Sequence, residues 1–314
     1  MRLLVLGGGG FIGSHIVARL LADGYKVRVF DRGRRANQKI AGVEYCQGDF
    51  GNQIELADAL ENIDGVIHAI STTVPGSSNL NPVADIETNL INSVNLLQLM
   101  HKANIKRIVY LSSGGTIYGV PNFLPITEDH PQYPICSYGV VKLAVEKYLF
   151  LFQHLYDFSP IILRISNPFG PGPTRLGIQG AVATFMDRIA KDEPIQIWGD
   201  GSVVRDYLYI DDLIDACMLA LESQETGVFN IGSSTGYSLK EVISILERTM
   251  NKEAIVEFKP SRKFDIQEVI LDCQLANDKL GWKPVIPMEK GIRIFYDWYL
   301  SRSTNNKPTS LTYA

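Results

Sequence analysis

The stretch LLVLGGGGFIGSHIVARLLADGYKVRVFD, residues 3–31, decides the fold. Leu3 to Leu6 form an apolar run suited to a short strand buried on both faces, and a glycine turn then opens a helix from about Ile12 to Ala22. Lys26 to Phe30 make a second strand that ends at Asp31. Gly7, Gly10 and Gly13 stand at GxxGxxG spacing between strand and helix, the context in which such glycines carry meaning. The first permits a tight turn, the second lets backbone approach a pyrophosphate, and the third allows close helix–strand packing. Phe11 and Ile12 sit inside this turn, where helix N-terminal amides hold an anion without a lysine. A flexible glycine turn is the blander reading. Asp31 argues against it, because a carboxylate 18 residues past Gly13 is where an adenosine ribose is gripped. That carboxylate favours NAD over NADP, whereas Arg32, Arg34 and Arg35 pull the other way as candidates to hold a 2′-phosphate.

Outward from this unit the alternation continues. Val43 to Cys46 and Gly65 to Ala69 are the next strands, and a helix runs from about Asp85 to Lys102 with Leu90, Val94, Leu97 and Met100 as its stripe. Ile108 to Leu111 is a strand, about Tyr138 to Leu155 a helix, and Ile161 to Ile165 another strand. Strands and helices in this order predict an α/β fold with a parallel sheet covered on both faces. Asp49 and Phe50, after the third strand, are placed to meet an adenine, with a plain surface turn as the alternative; Ala69 belongs to the same cofactor cleft.

The rhythm breaks after Asn167. NPFGPGPTRLG reads as loop, followed by a helix near Ala181 to Ala190, the turn WGDGS and strand-like DYLYI. Phe229 to Ile231 return to the sheet before a helical stretch at Leu239 to Met250. The predicted organisation is a dinucleotide-binding domain over 1–168, with segments near 205–232 returning to it, and a smaller mixed α/β domain over 169–300. The polar stretch 301–314 is expected to be a flexible tail.

With 314 residues, two domains are the natural expectation, and a net charge of −4 does not suit a nucleic-acid binder. Cys46, Cys136, Cys217 and Cys273 lack CxxC spacing, so free thiols in a reducing compartment are expected, and no metal site is assigned. The opening MRLLVL imitates a signal peptide until the glycines cut it short, and no later run reaches the roughly 20 apolar residues of a membrane span. The expected setting is cytoplasmic, away from membranes.

SYGVVK puts Tyr138 and Lys142 four residues apart, on one face of a helix. A nearby ammonium favours the phenolate, so a tyrosine with a reference pKa of about 10 becomes able to exchange a proton near neutrality. Such pairs also recur by chance on exposed helices, so their weight depends on the dinucleotide site upstream.

Seven stretches carry a resemblance: GGGGFIGSH at 7–15, GDF at 48–50, SSGGTIYG at 112–119, YGVVK at 138–142, RISNPFGPG at 164–172, WGDGSVVRDYLYIDD at 198–212 and LGWKP at 280–284. Together they resemble the extended short-chain dehydrogenase/reductase family, in its NAD-dependent nucleotide-sugar epimerase and dehydratase branch, most like the UDP-hexose 4-epimerases. The resemblance implies a Rossmann-like doubly wound sheet with bound NAD. It makes Tyr138 the acid–base, with Lys142 orienting the nicotinamide ribose and lowering the tyrosine's pKa. It also implies a homodimer formed by the helices from Asp85 and Tyr138, in which Leu149, Phe150 and Phe152 are either interface or core.

The family usually carries a Ser or Thr four residues before the tyrosine of its VYG-like segment, and that position here is Gly114. Thr116 is the favoured replacement and Ser113 the alternative; a hydroxyl there would hydrogen-bond the developing alkoxide. Dehydratases resembling this fold place an Asp–Glu pair where this chain has Gly115 and Thr116, so epimerisation is favoured over dehydration. The resemblance assigns Asn167, Arg205 and Arg262 to the nucleotide's diphosphate and Asp265 to its ribose, although Phe264 departs from the family's RxGD pattern. Val269, four past that aspartate, is small where a bulky residue excludes N-acetyl groups, so UDP-N-acetylhexosamines stand beside UDP-glucose and UDP-galactose. An NAD(P)-dependent reductase or dehydrogenase of nucleotide sugars and a non-catalytic dinucleotide-binding protein are the alternatives.

Overall fold

Strand, glycine turn, helix and strand succeed one another as β1 (Arg2–Leu6), α1 (Phe11–Ala22) and β2 (Lys26–Asp31). The structure is a computed structural model that describes residues 1–33, 40–172, 180–261 and 266–304. Next come β3 (Val43–Gln47), α2 (Gln53–Ala59), β4 (Gly65–His68), the single-turn helices α3 (Pro75–Ser78) and α4 (Pro82–Asp85), a π-helical turn over Ile86–Ile91, and α5 (Asn92–Lys102). Then β5 (Arg107–Ser113), α6 (Ser137–Tyr156) and β6 (Ser159–Ile165) complete the first part. The remainder holds β7 (Asn167–Phe169), α7 (Ala181–Ala190), β8 (Ile195–Trp198), β9 (Val204–Tyr209), α8 (Ile210–Glu222), β10 (Gly227–Ile231), β11 (Gly236–Ser238) and α9 (Leu239–Met250). It closes with β12 (Val256–Lys259), β13 (Glu268–Val269), α10 (Gln274–Leu280) and α11 (Met288–Thr304).

Seven strands form one sheet in the order β10-β6-β5-β4-β1-β2-β3, every neighbour parallel. Side chains alternate across it. Leu3, Val5 and Ile67 enter one apolar cluster, and Leu4, Leu6 and Val66 enter the other. Burial on both faces is what the unbroken apolar runs anticipate. Helices α1 and α8 pack together, as do α2 with α5 and α5 with α6. A smaller sheet is centred on β9, which pairs with β11 and β13 at its start and β7 at its end. Strands β8 and β12 pair separately. The chain is thus a Rossmann-like parallel sheet with a smaller mixed α/β C-terminal region.

Two local readings need correction. The expected loop after Asn167 begins with β7, three residues too short to show a period but paired along β9. The expected single helix from Asp85 contains the π turn, whose extra residue rotates the stripe. Leu90 and Val94 are consequently only partly buried, whereas the polar Asp85, Asn89 and Ser93 face inward at 0%, 9% and 3% exposure. Of the apolar residues expected at an interface or in the core, Leu149 and Phe152 are core. Among the described residues all four cysteines are free, and no helix is long and apolar enough to cross a membrane.

Arg164 in β6 is charged and still only 1% exposed. Its Nη2 meets Glu146 Oε2 at 2.7 Å, its Nε meets Oε1 at 3.1 Å, and Nη1 donates to the Tyr118 hydroxyl at 2.9 Å. Ser112 donates to the same carboxylate at 2.6 Å. Removing one partner leaves the other buried and unpaired, so Glu146→Leu should destabilise by about 3–5 kcal/mol in chemical denaturation. The double variant Glu146→Leu/Arg164→Met should recover most of that loss.

Candidate active site

Strand order reverses between β1 and β4, and the crevice beyond their C-terminal ends is where open α/β sheets bind ligands. Gly7 follows β1 with φ +80°, a left-handed turn that glycine adopts without strain. A Cβ on Gly13 would lie 2.2 Å from the Gly7 carbonyl oxygen, so only glycine lets α1 pack this closely. Gly10 caps α1 without a side-chain hydrogen bond, which leaves that side of the helix start to a ligand. A cavity opens here, lined by Gly7, Gly10, Asp31, Arg32, Asp49, Phe50, Ala69 and Ser71, among others. Asp31 Oδ2 accepts from Gly9 N at 3.0 Å, which ties the carboxylate to the glycine turn. Phe11 and Ile12 occupy the first turn of α1, half-buried. These features fit a dinucleotide: close backbone, open amides at a helix start, and an acid at the end of β2.

Tyr138 and Lys142 lie one turn apart on α6, whose inner side faces the end of β5. Lys142 is buried; its Nζ donates to Leu111 O at 2.8 Å and lies 5.7 Å from the Tyr138 ring centroid. Burial pushes its pKa down to about 8, with Glu146 and Asp85 opposing the fall. The tyrosine differs from expectation. Burial pushes the phenol up to about 12, and the hydroxyls of Ser71 and Ser113 pull the other way. The ammonium addresses the Leu111 carbonyl, so it does not offset the desolvation of Tyr138.

The candidate hydroxyls lie where β5 ends. Thr116 Oγ1 donates to Ser113 Oγ at 2.9 Å, and of the two it is Ser113 whose hydroxyl eases the Tyr138 phenol toward ionisation. The strand stops at Ser113 and residues 114–116 form a turn, so the two-residue alternation that favoured Thr116 does not extend that far.

Asn167, Arg205 and Val269 come together on the smaller sheet. Asn167 Nδ2 donates to Asp206 O at 2.8 Å, and Val269 pairs in register with Arg205. Both Asn167 and Arg205 are half-buried, whereas the Val269 side chain is packed in the core at 2% exposure. Arg262, Phe264 and Asp265 lie outside the described residues, as do Arg34 and Arg35.

Residues 3–232 match the model of the NAD dependent epimerase/dehydratase family. The chain belongs to that family. A structure of UDP-glucose 4-epimerase from Thermotoga maritima with UDP-glucose superposes with a TM-score of 0.91 at 32% identity, covering 96% of this chain and 100% of that one. The UDP-glucose 4-epimerase of Thermus thermophilus in complex with NAD gives 0.89 at 34% identity, covering 96% and 99%. A dTDP-4-dehydro-6-deoxyglucose reductase from Escherichia coli is 32% identical over 300 residues, 92% of this chain and 95% of its own.

In this epimerase/dehydratase chain, sequence reasoning missed Ser71 and the inward row Asp85, Asn89 and Ser93. The row was visible as polar residues at i, i+4 and i+8 within a stretch read as an apolar helix. Ser71 lies in a loop after β4, where no period marks it.

The depressed Lys142 predicts a pH effect on stability. The unfolded state binds more protons between about 8 and the ordinary 10.5, so this residue makes stability rise with pH across that window. Tyr138 acts oppositely, but only from its ordinary 10.0 up to about 12. Denaturation of cofactor-free protein should therefore show Lys142→Met losing ground to wild type as pH rises from about 8 toward 10. A difference that stays constant would contradict the buried ammonium.

Proposed function

We propose that this protein is an NAD-dependent epimerase that inverts C4 of a UDP-hexose. The observation that carries the reading is Tyr138 on α6, one turn from the buried Lys142, with its phenol influenced by Ser71, which itself lines the cofactor cavity. Gly7, Gly10, Gly13, Phe11 and Ile12 would hold the pyrophosphate, Asp31 the adenosine ribose, Asp49 and Phe50 the adenine edge, and Lys142 the nicotinamide ribose, with Ala69 on the cavity wall. When bound, NAD supplies reversible hydride acceptance at the sugar carbon. Tyr138 Oη would take the proton of the 4-hydroxyl as hydride leaves C4 and, once the 4-keto sugar has turned so that hydride returns to its other face, give that proton back to the same oxygen, while Ser113 steadies the developing alkoxide and Thr116 orients Ser113. A pKa near 8 leaves Lys142 mostly protonated at neutrality, as a donor to the nicotinamide ribose requires.

Asn167 and Arg205, with Arg262 and Asp265, would take the UDP moiety. The buried Val269 lends no support to an opened pocket, so UDP-glucose and UDP-galactose are the first pair to test and the N-acetylated pair the second. The outward side of α6 exposes Val140, Tyr148, Leu151 and Leu155, and the π turn exposes Ile86 and Ile91, which supports a dimer through these helices.

The resemblance to the Escherichia coli reductase favours one second reading, a nucleotide-sugar reductase. The assay separates them. An epimerase interconverts UDP-glucose and UDP-galactose with no net change in nicotinamide absorbance, whereas a reductase consumes reduced cofactor stoichiometrically. Tyr138→Phe should lower turnover about 10²- to 10⁴-fold while NAD stays bound, and full activity in that variant would overturn the assignment.

A further inference from the structure

Asp85 is a buried acid to which the proton relay of Tyr138 assigns no role. It ends α4 at 0% exposure. Thr73 Oγ1 donates to its Oδ1 at 2.7 Å, Asn89 Nδ2 to the same oxygen at 2.8 Å, and Ser137 Oγ to its Oδ2 at 2.7 Å. These neutral donors come from three separate pieces of chain: the loop after β4, the π turn, and the residue immediately before Tyr138.

Each piece is tied again. Asn89 Oδ1 accepts from Thr72 N at 2.9 Å, and its Nδ2 reaches Thr72 Oγ1 at 2.8 Å. Ser93 Oγ donates to Asn89 O at 2.6 Å and faces His68 Nε2 at 3.0 Å. Since Ile70 N donates to His68 Nδ1, Nε2 carries the imidazole proton, and burial holds the ring neutral by pushing its pKa down to about 3. Ser137 N donates to Asn79 Oδ1 at 2.8 Å. A continuous polar chain therefore joins the end of β4 to the start of α6, with Asp85 at its centre.

The same loop carries Ser71. Its Oγ donates to Thr73 O at 3.0 Å and faces the Tyr138 phenol. A hydroxyl has one proton and two acceptor sites. With that proton on Thr73 O, a lone pair of Ser71 is free to accept from neutral Tyr138; turned toward the phenolate, the proton would stabilise ionised Tyr138.

We propose that Asp85 is the positioning residue of the Tyr138 relay, gripping Thr73 and Ser137 at once and so setting the separation of Ser71 from the phenol. The proposal rests on Tyr138 being the acid–base. A buried carboxylate held only by neutral donors is costly if shape alone is needed, since a neutral side chain could bridge the same groups. Its charge has a further effect, raising the affinity of both Tyr138 and Lys142 for protons. The other groups facing Tyr138 are Lys142 on its own helix, Cys136 just before it, Tyr110 on β5, and the hydroxyls of Ser71 and Ser113.

The test compares Asp85→Asn, Ser137→Ala and Ser137→Thr in NAD-loaded protein with UDP-glucose. In cofactor-free protein it titrates Tyr138 by absorbance difference against Tyr138→Phe. Asp85→Asn should lower kcat about 10- to 100-fold with KM held within about threefold, the signature of lost positioning. Its Tyr138 titration should move to lower pH, because a negative charge has gone. Ser137→Ala should lose part of kcat without moving the titration, and Ser137→Thr should restore it. Unchanged kcat in Asp85→Asn overturns the proposal, as does a parallel loss of kcat, KM and thermal midpoint with no rescue by Ser137→Thr. Should Asp85→Asn not fold, the Ser137 pair decides alone. Should wild type fail to epimerise, the functional reading fails, and an unmoved titration in Asp85→Asn would still count separately against Asp85 acting on Tyr138.

Discussion

Contact between Gly13 and the Gly7 carbonyl is the constraint on which the rest of the structure depends. It brings α1 against the end of β1 at a distance no Cβ allows, and α1 is then held at several points along its length. Its first turn presents open amides to the cavity. One turn on, His15 Nε2 donates to Pro171 O at 2.7 Å, and Phe11 lies against Gly172, so the segment leading into the smaller region is fixed to the glycine turn. Farther along, Arg19 Nη1 reaches Asp215 of α8 at 2.6 Å. One close approach of backbone therefore sets both the cofactor crevice and the anchoring of the chain beyond β7.

How much of this was legible depended on whether a residue belonged to a periodic element. The first strand, helix and second strand follow from Leu3–Leu6, the glycines and Asp31, because burial on two faces and the spacing of small residues both leave a mark in sequence. Tyr138 and Lys142 were legible for the same reason: four residues on a helix mean one face. The π turn was not, since a reading at 3.6 residues per turn assigns Leu90 and Val94 to the core and turns Asp85, Asn89 and Ser93 outward. Strands β7 and β13 hold three and two residues, too few to show alternation. Their pairing comes from β9, a partner that local sequence does not name.

The interior of the candidate site is unusually charged for a parallel sheet flanked by helices. Glu146, Lys142 and Tyr138 rise along one face of α6 at intervals of four, and Asp85 closes the row at the helix start. Arg164 neutralises Glu146 directly, while Lys142 is left with a carbonyl and two aromatic rings. The pairing is asymmetric in consequence. The Arg164–Glu146 pair serves packing, with each charge matched; Lys142 keeps an unmatched charge whose proton affinity has been brought toward neutrality. Ground-state comfort is lowest where proton exchange is proposed, as expected when a site is arranged for charge that develops later.

Gly114 follows from the same local geometry. A Cβ there would come within 2.5 Å of Leu271 Cδ1 and 3.1 Å of Arg164 O, so this position points into the packing between β5 and the C-terminal region. A serine at 114 would meet Leu271 at that distance, and its hydroxyl could not be housed without displacing the core. Ser113, one residue earlier, is the last residue of β5 and is the one whose hydroxyl acts on Tyr138. Thr116, after the turn, donates to it and fixes its orientation. Under the proposed relay, glycine at 114 does not mark a missing hydroxyl: the strand ends one residue short of that position, the core takes the space beyond, and Ser113 and Ser71 would supply the hydroxyls.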